Sequence, residues 1–239
     1  MAWRRFMGAY STAMRIIHFS DFHAHWPWFD WAAREGARYD LAIHSGDFIE
    51  MRQPRIPAQA DRVKAWSDAL KGEWVFCSGN HEAEGLTAHR LWMTTLSRTW
   101  VTTLSRTWVT TDGGRKVLSG REVTVSGWRD SLTPPAKTGL RWLAVHHEPP
   151  TETAVATDEQ SDFGSFDLRQ ELEDQQPDVL FCGHQHTPTR WHDRVGKTLC
   201  LNPGRSTHPA VPNFIVYDDQ LKRAALNVGG EVQTVLRLP

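Results

Sequence analysis

The chain has 239 residues, with 27 lysines and arginines against 28 aspartates and glutamates and a hydrophobic fraction of 40%. A formal net charge of −1 gives no electrostatic reason to expect a nucleic-acid partner, and no apolar run nears the ~20 residues that span a bilayer. Cys77, Cys182 and Cys200 are odd in number and lie in apolar runs, so they read as buried small hydrophobes in a reducing, cytoplasmic setting rather than as a disulfide framework.

Residues 1–13 contain two arginines but no continuous apolar stretch of the signal-peptide kind, and read as a loose extension before Met14, itself an alternative start. From there short apolar runs end in polar residues. MRIIHFS leads into Asp21, DLAIHSG into Asp47, and EWVFCSG into Asn80. LRWLAV leads into His146, and DVLFCG into His184. Such runs predict buried strands of an α/β protein. Helices are expected at 28–37, 58–71 and 165–176. From Lys116 onward strand-like runs dominate, at 116–128, 197–204, 213–219 and 231–238, which suggests a second, more antiparallel sheet. No linker is evident, so residues 14–239 are expected to form one domain. TTLSRTWV at 94–101 recurs unchanged at 102–109, too short a period for a solenoid, and reads as a local duplication on an edge or projecting segment.

In open α/β sheets ligands bind beyond the carboxyl ends of strands. Five such ends carry Asp21 and His23, Asp47, Asn80 and His81, His146 and His147, and His184 and His186. Mixed oxygen and nitrogen donors without thiolate suit manganese, iron, zinc or nickel better than magnesium or calcium. Two aspartates, one asparagine and four of these histidines make seven ligands, too many for one small cation but suited to two divalent ions that share a bridging carboxylate. Two such ions against two carboxylates would leave a net positive site that attracts a phosphate oxyanion.

These motifs, D-F-H at 21–23, G-D at 46–47, G-N-H-E at 79–82, His146 and G-H-Q-H at 183–186, resemble in order the signature of the calcineurin-like metallophosphoesterases. Asn202-Pro203-Gly204 is similar to an N-P-G element of the small bacterial members. The resemblance implies two mixed β-sheets packed as a sandwich with flanking helices and a dinuclear metal site at the strand C-terminal ends. It implies that Asp21, His23 and His186 hold one metal, that Asn80, His146 and His184 hold the other, and that Asp47 bridges. It further implies hydrolysis of a phosphate ester, monoester or diester, by a hydroxide held on the cations, with His81 acting on the leaving oxygen.

Other residues carry two readings. His147 is expected behind the metal ligands or on the substrate side, and His25 as an exposed loop histidine that could touch substrate. Glu82 orients His81 or complements a helix N-terminus. Arg205 reaches a phosphate or is solvated. His18 and His44 read as core histidines. Trp26, Trp28 and Trp31 read as the apolar side of a helix rather than an aromatic rim. Residues 148–165 hold five acidic side chains and no lysine or arginine, and read as a long mobile loop near the site mouth. A negative loop disfavours a polynucleotide, so a small soluble phosphorylated substrate is expected, with a nuclease or a non-catalytic binding scaffold as the alternatives.

Overall fold

The computed structural model describes residues 13–50, 56–85, 108–136 and 139–238. In chain order these form β1 (Arg15–Phe19), α1 (Trp26–Gly36), β2 (Leu41–His44), α2 (Ile56–Asp68), β3 (Glu73–Phe76) and α3 (Asn80–Gly85). There follow β4 (Trp108–Thr110), β5 (Arg115–Leu118), β6 (Arg121–Val125), β7 (Arg141–Val145), α4 (Phe166–Gln175) and β8 (Val179–Phe181). The chain finishes with β9 (His192–Val195), β10 (Thr198–Leu201), β11 (Phe214–Asp218), β12 (Arg223–Val228) and β13 (Glu231–Arg237).

The strands make two mixed sheets, as expected. One has the order β13-β12-β11-β1-β2-β3-β4, the other β5-β6-β7-β8-β10-β9. The expectation of a more antiparallel second sheet fails in an instructive way. In that sheet β6, β7, β8 and β10 run parallel, and only its edge strands β5 and β9 are antiparallel. The C-terminal strands β11, β12 and β13 instead extend the first sheet, with β11 pairing antiparallel to β1. Hydrogen bonding to an open edge needs only a free strand, whatever its place in the sequence.

The sheets pack face to face on one apolar layer. Ile16, Leu41 and Ile43 from the first sheet meet Leu143, Val145, Val179 and Phe181 from the second. Each sheet is covered on its other face as well. Helix α1 buries Trp28, Phe29 and Ala32, one face at helical spacing, against Phe19, Phe22 and Trp74. Helix α4 is started by Ser165, whose side chain accepts from the Leu168 amide at 3.2 Å. It buries Leu168 and Leu172 against Trp142, Ala144 and Leu180. Large apolar side chains buried on this scale stabilise the fold by roughly 1.5–3 kcal/mol each.

The three tryptophans near α1 belong to this packing. Trp28 is buried and donates to the His208 carbonyl at 2.9 Å, Trp31 packs on Phe19 and Phe214, and the Arg62 guanidinium covers Trp26. The three cysteines are buried and free. Among the described residues no helix is long and apolar enough to cross a membrane. Residues 1–12 of the expected extension and 94–107 of the octads lie outside the described residues; Trp108 and Val109, the end of the second octad, begin the edge strand β4.

Candidate metal centre

The parallel strands β1, β2, β3, β7 and β8 release their chains at one end of the sandwich, and the turns that follow are tight. Asp21, His23, Asp47 and His184 all have positive φ, between 44° and 67°. A non-glycine residue held there costs on the order of 1 kcal/mol or more, and such strain persists only where surroundings impose it. Backbone bonds tie the first two turns together, from the Asp21 amide to Gly46 and from the His23 amide to Asp47. Two glycines make room. A Cβ on Gly79 would lie 2.0 Å from Asp47 Oδ1, and one on Gly183 would lie 1.7 Å from Ser20 Oγ.

Three groups of donor atoms result, each within 4.8 Å: Asp21, His23 and His186; His23, Asp47 and His81; and Asp47, His147 and His184. Asp47 and His23 each stand in two of them, and Asp47 Oδ2 lies 3.7 Å from His23 Nε2 and 3.5 Å from His147 Nε2. The Asn80 side-chain oxygen faces His184 Nδ1 at 3.1 Å and His147 Nε2 at 3.2 Å.

His146 does not join this cluster, and His147 takes the place expected for it. Side chains alternate along β7: Leu143 and Val145 face the layer between the sheets, Trp142 and Ala144 the layer under α4. His147 continues the first parity and His146 the second. His147 Nδ1–H donates to the Ser45 carbonyl at 2.6 Å, which leaves Nε2 facing Asp47 and Asn80. Donation of the second ring nitrogen to a backbone carbonyl is the usual setting of a metal-binding histidine. His146 has no free lone pair. Its Nδ1 accepts from the Glu148 amide at 3.0 Å and its Nε2–H donates to the Asp130 carbonyl at 3.1 Å.

A cation fits the donor set. Asp21 Oδ1 is buried and has no hydrogen-bond partner among the described residues, while Oδ2 accepts from the His184 amide at 3.1 Å. His23 Nε2 and His186 Nε2 face each other at 2.9 Å beside that oxygen. Burial alone would push both carboxylates up. The facing histidines, His186 for Asp21 and His147 for Asp47, more than reverse this, so Asp21 sits well below the usual carboxylate range and Asp47 at about 2. Burial lowers His23 and His184 to about 4. Burial also opposes a charge on His147, but the Asp47 and Asp21 carboxylates outweigh it and raise that ring to about 10. Two buried carboxylates thus demand positive charge at this spot.

The remaining predicted residues are spread around this centre. His81 donates through Nδ1–H to the Ile49 carbonyl at 3.0 Å, so its Nε2 faces the cluster, 3.7 Å from Asp47 Oδ2. Glu82 does more than charge a helix end. Its carboxylate accepts from the amides of Asp47, Ile49 and Gly79 at 2.8–3.0 Å and pins two of the turns. His25 donates to the Pro209 carbonyl at 2.6 Å, away from the donor groups. Arg205 donates its amide to the His186 carbonyl, and its side chain lines a neighbouring cavity. His18 and His44 are buried in the core, as expected. Residues 148–165 are tied down rather than loose. Asp162 accepts from Thr151, Glu152 and Gly164, and Asp158 from Gln160 and Ser161, so the acidic groups cap the loop's own turns.

Two contributors escaped the sequence reading. Trp128 packs its ring 4.8 Å from that of His184 and 5.6 Å from that of His147, walling one side of the centre. Asn202, noticed only as part of N-P-G, donates Nδ2 to the carbonyls of Val155, Gly183 and Gln185, all at 3.0 Å, and accepts from Gly204. It holds the loop that carries His184 and His186.

Known structures share the fold. One solved structure covers 91% of this chain and 99% of its own, at 15% identity and a TM-score of 0.67. A protein from Thermus thermophilus covers 91% of this chain and 100% of its own, at 11% identity and a TM-score of 0.58. A purple acid phosphatase from yellow lupin seeds matches 95% of this chain with 54% of its own, at 12% identity and a TM-score of 0.55. Likeness at such identities concerns the fold. No curated protein matches the sequence. A profile of the calcineurin-like phosphoesterases matches residues 14–188, most of the chain, and the protein belongs to that family.

Proposed function

We propose that the protein hydrolyses a phosphate ester of a small soluble substrate with the help of two divalent cations. The observation that carries the reading is the convergence of Asp21 and Asp47, both buried, with five histidines whose ring nitrogens lie within 4.8 Å of a carboxylate oxygen. Asp21, His23 and His186 would hold one cation, and Asn80, His147 and His184 the other, with Asp47 between them. When bound, such cations lower the pKa of water toward neutrality and polarise a phosphoryl oxygen. The donor set suits manganese, iron, zinc or nickel.

The chain's own groups do the rest. Backbone bonds between the turns hold the donors in place before substrate arrives, so little reorganisation remains to be overcome. The Ile49 carbonyl takes the His81 Nδ1–H, and in the cationic ring the remaining Nε2–H would stabilise or protonate the oxygen that departs from phosphorus. Trp128 excludes water from one flank. Metal analysis of the purified protein, with turnover of p-nitrophenyl phosphate and bis(p-nitrophenyl) phosphate under each metal, tests the proposal. Two equivalents of metal and metal-dependent release of nitrophenolate are expected. Bound metal without turnover of either ester would favour a binding scaffold.

A further inference from the structure

Beside His186 lies a cavity of about 740 Å³, between β9 with its preceding loop and the β12–β13 hairpin. Its volume is in the range of small-molecule sites. It touches the candidate metal centre through His186, whose side chain is 40% exposed while those of Asp21, His23, Asp47 and His147 are within 2% of full burial. His186 is thus both the most exposed of these side chains and part of the cavity's lining.

Trp191, Leu226, Val228 and Leu236 supply apolar wall, at the edge where the two sheets part and leave the layer between them incompletely filled. Arg190 and Arg205 line it too, and among the described residues no aspartate or glutamate does, in a chain whose net charge is −1. The Arg205 Nε is buried and has no hydrogen-bond partner among the described residues. A buried guanidinium N–H without an acceptor is costly unless a ligand supplies one.

From the cavity's continuity with His186, its apolar walls and its unbalanced arginines, we infer that it is the subsite for the organic group of the substrate. The substrate class is then a phosphoester with a bulky, mainly apolar group that bears an oxygen acceptor for Arg205. This rests on the proposed phosphoesterase reading and narrows it. It separates such compounds from phosphorylated sugars and from inorganic phosphate, which offer nothing to the apolar walls.

Thr234 gives a clean handle. It lies directly opposite Leu226 in the β12–β13 register, so both side chains stand on the cavity face, and it is exposed enough to accept a charge. Calorimetry on the full chain should show octyl phosphate binding at least tenfold more tightly than methyl phosphate. Two buried methylenes suffice for roughly that factor. Thr234→Glu, which sets a carboxylate among the apolar walls, should cut the preference to about threefold or less. Thr234→Lys, which sets an ammonium there instead, should do the same, so a folding defect in one variant does not decide the matter. Arg205→Gln should leave octyl phosphate, whose chain carries no acceptor, unchanged and should weaken 8-(phosphonooxy)octanoate several-fold, and equal effects on the two would remove Arg205 from the subsite. Equal affinity for octyl and methyl phosphate, or a preference that survives both Thr234 variants, overturns the inference.

A parallel assay keeps the two readings apart. It compares 4-nitrophenyl octyl and 4-nitrophenyl methyl phosphodiesters, which share one leaving group. Octyl preference in binding without turnover of either ester sinks the hydrolase reading alone. Turnover of both at equal kcat/KM sinks the subsite alone.

Discussion

His147 Nδ1 lies 2.6 Å from the carbonyl oxygen of Ser45, a residue 102 positions away in the sequence, and this contact decides which of two adjacent histidines serves the centre. With that N–H committed, Nε2 is the nitrogen that faces Asp47 and Asn80 and that a metal would take once its proton is released. His147→Ala should therefore lose at least one metal equivalent and nearly all hydrolysis. His146→Ala should retain both metals. Its cost should fall on stability, on the order of 1–3 kcal/mol, because the Asp130 carbonyl and the Glu148 amide lose their partner. Elemental analysis and thermal melts of both variants check this, and the reverse pattern of metal loss would return His146 to the ligand position.

The metal-free protein should show a bell in stability against pH. His23 and His184, held by burial at about 4, stay neutral while the unfolded chain takes up protons below the ordinary 6.5. That contribution is present above 6.5 and is lost as pH falls toward 4. His147, raised to about 10 against its own burial by Asp47 and Asp21, has the opposite sign. Its contribution is full below 6.5 and is lost as pH rises toward 10. Melting temperatures in chelator should peak near neutrality, and His147→Ala should remove the alkaline limb. Adding manganese near about pH 8 should release a proton, measurable with an indicator dye, as the ring gives it up to bind metal.

His81 is distinguished from the ligands by its effect on rate alone. His81→Ala should keep both metals and lower kcat by ~10²–10⁴-fold. Esters with a very good leaving group should suffer least, since they need no proton. Loss of metal in this variant would make His81 a ligand, which its place in a donor group with His23 and Asp47 makes worth measuring.

Asn202→Asp tests the loop clamp. The substitution replaces an amide nitrogen facing three carbonyl oxygens with a carboxylate oxygen, turning three attractions into repulsions. Stability should fall by a few kcal/mol, on the order of 1–3 for each buried group left unpaired. The variant should also bind metal roughly 10–100-fold more weakly, as expected when support behind ligands is lost. Chemical denaturation and metal titration report the two effects separately.

Deletion of residues 102–109 should leave the protein folded with its metals. The two octads are identical, so either deletion leaves TTLSRTWVTT leading into β4, and Trp-Val-Thr still supplies the edge strand beside β3. Added loop length costs little closure entropy. A melting temperature within a few degrees of the full chain is expected, and failure to fold would show that the second copy has become structural.

The strand-end motifs were legible in the sequence because apolar runs that break at Gly-Asp, Gly-Asn-His or Gly-His-x-His mark both a buried strand and the turn after it. Asp21, His23, Asp47, Asn80, His184 and His186 all meet at the predicted end of the sandwich. The choice between His146 and His147 was not legible. Strand β7 is apolar on both faces, being covered by a sheet on one side and α4 on the other, so its pattern does not say which parity looks inward. The same holds for the sheet that β11, β12 and β13 join, for Trp128 beside His184, and for Glu82 under Asp47. Each depends on a partner far away in the chain, which only packing brings near. Local sequence determines where a strand must stop and which donors it ends in; tertiary structure decided which of those donors share a lone-pair direction, because that direction is set by the distant carbonyl or amide on the other side of each ring.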